Sequence, residues 1–496
     1  MILALPVALQ DVKLVVCLIL TLTLLALALT LSLSLRMSGF AYRSRMSNSF
    51  AKLDKAATFN RDPYTMFRDY IESGPALMTG DDGKIIGRFT LENTNTTIAN
   101  TLRRLVLTET RSVGFRADLT NRADPGVQIR KNTSAIFNEM LAHRLTLVPL
   151  GVRNLDSFDP KRYECILQVK NDVRGPITAD TLRHVSSADF RVRERQEDGS
   201  FTDLGAPGSA ALFPIDPITR EGSLLVTLRP QWNPEQPAEE VDMTAYPVIS
   251  RGREFMGFCP VSQCSFENTR DEDPVRQERF FTEWLAAFKK VADPTILNTE
   301  QAALYRQEWM TLGVQRCFQV DERGEPNSFS FTVESVGVRP VPDIVAEGIR
   351  AAVELVTPYA DGDKTADELG LTIQPVDSRM NGVDVMFEGQ EHTLGNLLQT
   401  LITEEYLDRE AADSPITFAG YKVRHPLHRV MTLRLGIREG ASAGAGADNA
   451  AIARQVISVA AAKAKTIFED LGRAWAATVG GSPAPVPATS GPELDG

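Results

Sequence analysis

The chain has 496 residues, 43% of them hydrophobic and 24% charged, and its 53 basic against 64 acidic side chains leave a formal net charge of −11. That length and apolar content suffice for roughly two to four domains with buried cores, and the acidic balance excludes a protein whose main task is to coat nucleic acid. The five cysteines (Cys17, Cys165, Cys259, Cys264, Cys317) are irregularly spaced, offer no disulfide framework and suit a reducing compartment.

Residues 1–79 read as an N-terminal extension. Within it, "VVCLILTLTLLALALTLSLSL", residues 15–35, is uncharged and reaches the roughly 20 apolar residues that a bilayer span needs. Arg36, Arg43, Arg45, Lys52 and Lys55 follow and would hold the C-terminal bulk on the cytoplasmic side. The run is too long for a secretory signal and lacks a small-residue cleavage site. Its alternation of Leu with Thr, Ala and Ser also resembles low-complexity sequence. Met37 and Met46 stand just after it, so the working N-terminus is Met1, Met37 or Met46. An upstream extension outside the working protein is the preferred reading, and a real anchor is the other.

"PYTMFRDYIES" is a short amphipathic candidate, followed by a turn at Asp82-Gly83 and a strand from Ile85 to Leu91. A helix then opens with Thr96 or Thr97 as N-cap. Ile98, Leu102, Leu105 and Val106 share one face by the 3, 4, 7 spacing, with Arg103 and Arg104 off it. The long middle section contains "NEMLAHRLTLVPL", which reads as a short helix turning into a strand, and the strand-like "YECILQVKN" and "SLLVTLRP". "RQERFFTEWLAAFKKV" predicts a helix with Phe280, Phe281, Trp284, Leu285 and Phe288 on one face. "GVQRCFQV" and "SFSFTVESVGV" flank the turn "DERGEPN" as a candidate hairpin. Pro342 then opens a helix with Val345, Ile349, Ala352, Val353 and Val356 inward.

From residue 370 the pattern begins again: a strand "GVDVMFEG", a helix, a strand pair "ITFAGYKV" and "RVMTLRLGI", and a long helix. That last helix carries Ile452, Val456, Ala460, Ala464, Ile467 and Leu471. Residues 481–496, rich in Pro, Gly and Ser, are too poor in apolar side chains to fold. "TLGNLLQTLIT" at 393–403 repeats "TIANTLRRLVL" at 97–107 without gaps, matching Thr97 to Thr393, Asn100 to Asn396 and Leu102 to Leu398. Its stripe is Leu394, Leu397, Leu398 and Leu401. Two related halves with apolar helix faces can pack about a pseudo-twofold axis, as a homodimer does, so these eight stripe residues are the expected interface of an internal dimer.

"ANTLRRLVLTET", "IRKNTSAIFNEMLAHRLTLVPLGV" and "FSFTVESVGVRPVPDIVAEGI" resemble the archaeal D subunit of DNA-directed RNA polymerase, with its eukaryotic third-largest and bacterial alpha counterparts. "HTLGNLLQTLI" with "ITFAGYKVRHPLHRVMTLRLGI" resembles the small L subunit, the partner of D. The chain thus looks like a D/L fusion, a form known in large DNA viruses, which suggests a viral origin. The resemblance implies an α+β fold with two alpha-like dimerisation domains forming an intramolecular pseudo-dimer. The first, at 80–116 plus 314–360, is interrupted by a mainly-β inserted domain at 117–313, and the second is at 370–480.

It also implies a non-catalytic assembly platform within an RNA polymerase. Its partners would be the largest and second-largest subunits and small assembly subunits, and it would meet DNA only through the complex. The location would be intracellular: nuclear, or virion and host cell for a virus. Arg103 and Arg104 match the family's paired arginines, one of which faces the second-largest subunit. With Asn100 and Glu109 they are the expected partner-binding residues, whereas the second copy carries Gln399 and Thr400 there. A membrane-anchored adaptor reusing the same fold is the alternative.

For chemistry the residues offer little. Cys259 and Cys264 have a permitted metal spacing but no second pair, and His425 and His428 lie far along the chain, so no metal is expected. His143 reads as a hydrogen-bonded structural residue, and Glu391–His392 as capping and dipole pairing. There is no phosphate-binding glycine loop, no nucleophile motif and no aspartate cluster for magnesium, and no cofactor is expected.

Overall fold

The computed structural model describes residues 67–73 and 85–480, except 119–125, 217–218, 234, 292–297, 363, 377–379, 409–413, 426 and 440–447. The apolar run at 15–35, the alternative starts Met37 and Met46, and the tail at 481–496 lie outside the described residues. Residues 272–327 cluster as one compact unit, and the remaining described residues as another.

The larger unit opens with β1 (Phe67–Ser73), taken from the amphipathic candidate, then β2 (Ile85–Glu92) and α1 (Thr96–Thr108). The cap of α1 is Asn95 rather than Thr96 or Thr97. Asn95 is extended, and its side chain accepts the Ile98 N–H at 2.9 Å, which leaves the Thr97 hydroxyl free for a contact between the repeats.

After α1, β3 (Arg111–Phe115) leads into the inserted domain: β4 (Val127–Asn132), α2 (Asn138–Thr146), β5 (Tyr163–Lys170), β6 (Arg183–Ser186), β7 (Arg191–Arg195), β8 (Phe201–Asp203), α3 (Gly205–Leu212), β9 (Leu224–Leu228) and β10 (Glu240–Ala245). β11 (Pro247–Arg251) returns antiparallel to β3, so the domain hangs on a two-stranded stem. Its main sheet runs β4-β10-β5-β7-β8, with β6-β9 as a separate pair, around its own core of side chains such as Phe115, Leu145, Phe190, Phe213 and Met243. The strand expected after α2 does not form. The amides of Leu147 and Val148 turn back to the carbonyls of Arg144 and Leu145, and Pro149 has no N–H for a ladder.

β12 (Val261–Asn268) follows, then the small unit with α4 (Pro274–Trp284) and α5 (Thr299–Glu308). Phe280, Phe281, Trp284, Leu285 and Trp309 pack in its core, but Phe288 is exposed. The chain widens into a π turn over Leu285–Lys289, and that extra residue per turn rotates Phe288 off the face. The expected hairpin is also absent. Val314–Arg316 is a 3-10 turn and Val320 bridges only to Pro326, while β13 (Ser328–Ser335) is taken by β2 and β12. α6 (Val341–Val356) completes the first half.

The second half contains β14 (Leu371–Pro375), β15 (Gly382–Glu388), α7 (His392–Ile402), β16 (Ile416–His425), β17 (His428–Ile437) and α8 (Asn449–Gly480). Its sheet order, β14-β15-β17-β16, mirrors β1-β2-β13-β12 strand for strand, and every pairing is antiparallel. Along the chain both halves read strand, strand, helix, strand, strand, helix. The first is opened twice, by the inserted domain between α1 and β12 and by the helical unit between β12 and β13. A return of the first half at residue 314 is therefore too late, because β12 already pairs in its sheet.

The helices lie between the two sheets around one continuous core. α6 and α8 run antiparallel, and the C-terminal turns of α8 reach β1. There the Trp475 ring sits 5.0 Å from Phe67 and 4.9 Å from Phe89, and its indole N–H donates to the Pro342 carbonyl at 3.0 Å. Tyr359, just past α6, reciprocates with a ring contact of 5.2 Å to Phe387 of β15. The fold is thus α+β, with two dimerisation-type halves packed as an internal dimer.

Candidate functional site

The two copies of the repeated helix, α1 and α7, pass antiparallel and exchange side-chain contacts. The Thr97 and Thr400 hydroxyls are 3.0 Å apart, and Arg104 Nε donates to Thr393 Oγ1 at 2.8 Å. The alignment that places Thr97 on Thr393 also places Arg104 on Thr400. These two contacts are therefore the same pair of helix positions seen from either copy, which is the reciprocity of a two-fold interface. Asn95 Nδ2 to Glu404 Oε1 at 2.8 Å and Asn396 Nδ2 to Thr97 Oγ1 at 3.3 Å extend the seam.

Below this polar seam the apolar stripes are buried. Ile98, Leu102, Leu105, Val106, Leu394, Leu397, Leu398 and Leu401 are all at most 2% exposed and belong to the one shared core. Their direct partners are divided. α1 packs chiefly on α6 and also on β12, whereas α7 packs on α8, β16 and β17. At the α1–α6 crossing a Cβ on Gly348 would lie 2.6 Å from Val106 Cγ2, so the helices approach as closely as a bare glycine allows.

The expected partner-binding residues are distributed differently from one another. Arg104 is engaged within the chain by Thr393. Arg103 Nε and Nη2 both donate to Asn100 Oδ1, at 3.0 and 2.9 Å, forming a half-buried guanidinium–amide pair on α1. Glu109 is nearly buried between Arg251 and Arg253, with contacts of 3.1 and 2.6 Å. In the second copy Gln399 accepts the backbone N–H of Tyr421 at 3.1 Å and so covers part of the edge strand β16.

Several contributors escaped sequence reading: Gly348 at the crossing, Glu347 beside it, and the Trp475–Tyr359 exchange. A signal for Trp475 was present, since it extends the four-residue spacing of the C-terminal stripe one step past Leu471.

Cys259 and Cys264 are buried, and burial pushes the Cys264 thiol up to about 12. Cys259 Sγ donates to the Val261 carbonyl. Among the described residues no group of three or more His, Cys, Asp or Glu side chains is placed to hold a metal ion. His143 is exposed, with its ring edge-on to Phe255 at 6.3 Å. Glu391 does not cap α7 with its side chain; the carboxylate turns instead to Arg429 at 3.3 Å.

Comparison with known proteins gives this arrangement its family. The profile of the RNA polymerase Rpb3/Rpb11 dimerisation domain matches residues 88–356, and a second profile of the same description matches residues 383–472. The chain is 28% identical over 277 residues to the DNA-directed RNA polymerase II subunit RPB3 of Schizosaccharomyces pombe, covering 54% of this chain and 80% of that protein. It is 26% identical over 295 residues to the RNA polymerases I and III subunit RPAC1 of Bos taurus, covering 53% and 77%. With the RNA polymerase subunit Rpo3 of Aeropyrum pernix it shares 21% over 282 residues, covering 53% and 86%. The chain belongs to the RNA polymerase Rpb3/Rpb11 dimerisation-domain family, and it carries that domain twice.

Proposed function

We propose that this chain is a non-catalytic assembly subunit of a DNA-directed RNA polymerase, in which one polypeptide supplies both members of the dimer on which the largest and second-largest subunits are built. The observation that carries the reading is the reciprocal α1–α7 seam over a single shared core, in a chain that matches the dimerisation-domain profile in each half. Small assembly subunits would dock on the same platform, and DNA would be met only through the complex.

Arg103, with Asn100, is the arginine left to face the second-largest subunit, because Arg104 is held by Thr393 and Glu109 by two arginines of this chain. In the second copy the corresponding Gln399 and Thr400 are engaged within the chain, by the Tyr421 N–H and by Thr97, so the two faces of the platform differ and suit different partners.

The test is affinity purification of the tagged chain from its native cell, with the recovered proteins identified by mass spectrometry. Two very large subunits and polymerase activity are expected in the eluate. Recovery of neither large subunit would sink the reading. Arg103→Ala should leave the melting temperature within the range of an ordinary surface change, about 0.5 kcal/mol, and should reduce recovery of the second-largest subunit at least tenfold. Equal recovery would remove Arg103 from that interface.

A further inference from the structure

The stem of the inserted domain begins at a conflict of charge. Arg111 of β3 and Arg251 of β11 are cross-strand partners in register, an arrangement of like charges that by itself pushes two strands apart. Arg253 and Arg339 stand close by. Arg253 reaches the same carboxylate as Arg251, and Arg339 Nη1 donates to the Arg111 carbonyl at 3.0 Å.

Two carboxylates resolve the conflict, one for each strand. Glu347 of α6 is 6% exposed and accepts from Arg111 Nε at 2.7 Å, from the Arg111 amide at 3.2 Å and from Arg339. Glu109, at the end of α1, takes Arg251 and Arg253. Asp156, in the loop between α2 and β5 of the inserted domain, adds a 3.1 Å contact to Arg111.

Both carboxylates sit at the α1–α6 crossing. Glu347 precedes Gly348, the residue pressed against Val106, and Glu109 follows Val106 by less than one helical turn.

We propose that this crossing is a charge clamp on the stem: Glu347 and Glu109, fixed by the close packing of α6 on α1, grip one strand each and set the orientation of the inserted domain on the platform. When the grip is lost the two arginines repel, and the stem opens locally while both cores stay packed. The orientation of the inserted domain is thereby coupled to the packing of α6 on α1 within the first half. This inference does not depend on the polymerase reading, because clamp and stem lie within one chain.

Hydrogen–deuterium exchange on the purified full chain tests it. Glu347→Gln keeps the shape of the side chain and removes its charge. The expected result is about tenfold or greater acceleration of amide exchange at residues 111–115 and 248–251, with β5, β10, β13 and β17 at wild-type rates. Glu109→Gln should produce the same pattern and serves as the readout should Glu347→Gln fail to fold. Glu469→Gln, at an exposed pair on α8, should change neither stem strand. Wild-type exchange at the stem in a folded clamp variant would overturn the clamp. So would acceleration spread evenly through both cores, which would mark the pairs as general stability contacts.

Discussion

Asp384 and Arg434 face each other across β15 and β17 and share two hydrogen bonds of 2.6 and 2.7 Å. Hydrogen bonding to Arg434, opposed by burial and aided by the charges of Arg434, Lys422 and Arg424, holds the Asp384 carboxyl below its ordinary range. A carboxyl depressed in the folded state contributes stability above its unfolded value of about 3.9, and loses that contribution as pH falls through the lower folded value. Asp384→Asn should therefore shrink the fall in melting temperature as pH drops below roughly 4, and equal acid limbs for both proteins would contradict this. Glu347 has the same sign: burial pushes its carboxyl up, but hydrogen bonds from Arg111 and Arg339 outweigh it and leave it lowered. At this scale the sequence was legible for burial and poorly so for partners. The stripe residues of α1 and α7 follow from helical periodicity alone. That Arg104 turns to Thr393 depends on a helix almost 300 residues away, which no local spacing encodes, whereas the Arg103–Asn100 pair is a local contact three residues apart on α1.

Helices were legible as elements because a long amphipathic period survives local irregularity, and α6 and α8 were expected close to where they lie. β12 was missed for a physical reason. It is an edge strand with Gln263 and Glu267 outward, and a bulge between Val261 and Gln263 shifts the alternation by which a strand is recognised. Its partner β13 lies beyond a separate helical unit, so no hairpin turn announces the pair. The crossing of α1 and α6 gives an element-scale prediction. Gly348→Ala must displace Val106 or separate the helices, and overpacking of this kind costs about 1–3 kcal/mol, measurable by chemical denaturation. A variant as stable as wild type would show that the crossing has slack. Leu398→Ala, at a fully buried position, should cost about 2–5 kcal/mol by the same measurement.

For the whole molecule, the repeat predicts association without covalent linkage. The chain between the halves needs only to keep them close, because the shared core and the α1–α7 seam lie on either side of it. Cleavage between Gly362 and Lys364, beyond the buried Tyr359, should leave fragments that co-elute on a sizing column at micromolar concentration. Fragments that separate while each stays folded would rule out the internal dimer. Among the described residues no helix is long and apolar enough to cross a membrane.

The reach of α8 has a consequence in time as well as in space. Its 32 residues extend about 48 Å at 1.5 Å per residue, and its far end supplies the Trp475 that closes the face of Phe67 and Phe89. These phenylalanines are synthesised long before their cover. The first sheet is complete only once β13 is made, and at about 5–20 residues per second it then waits roughly 7–28 seconds on the ribosome for Trp475 to cover its aromatic face. Linking both halves in one chain removes the search for a partner, but it leaves the aromatic face of the emerging first half uncovered until α8 arrives.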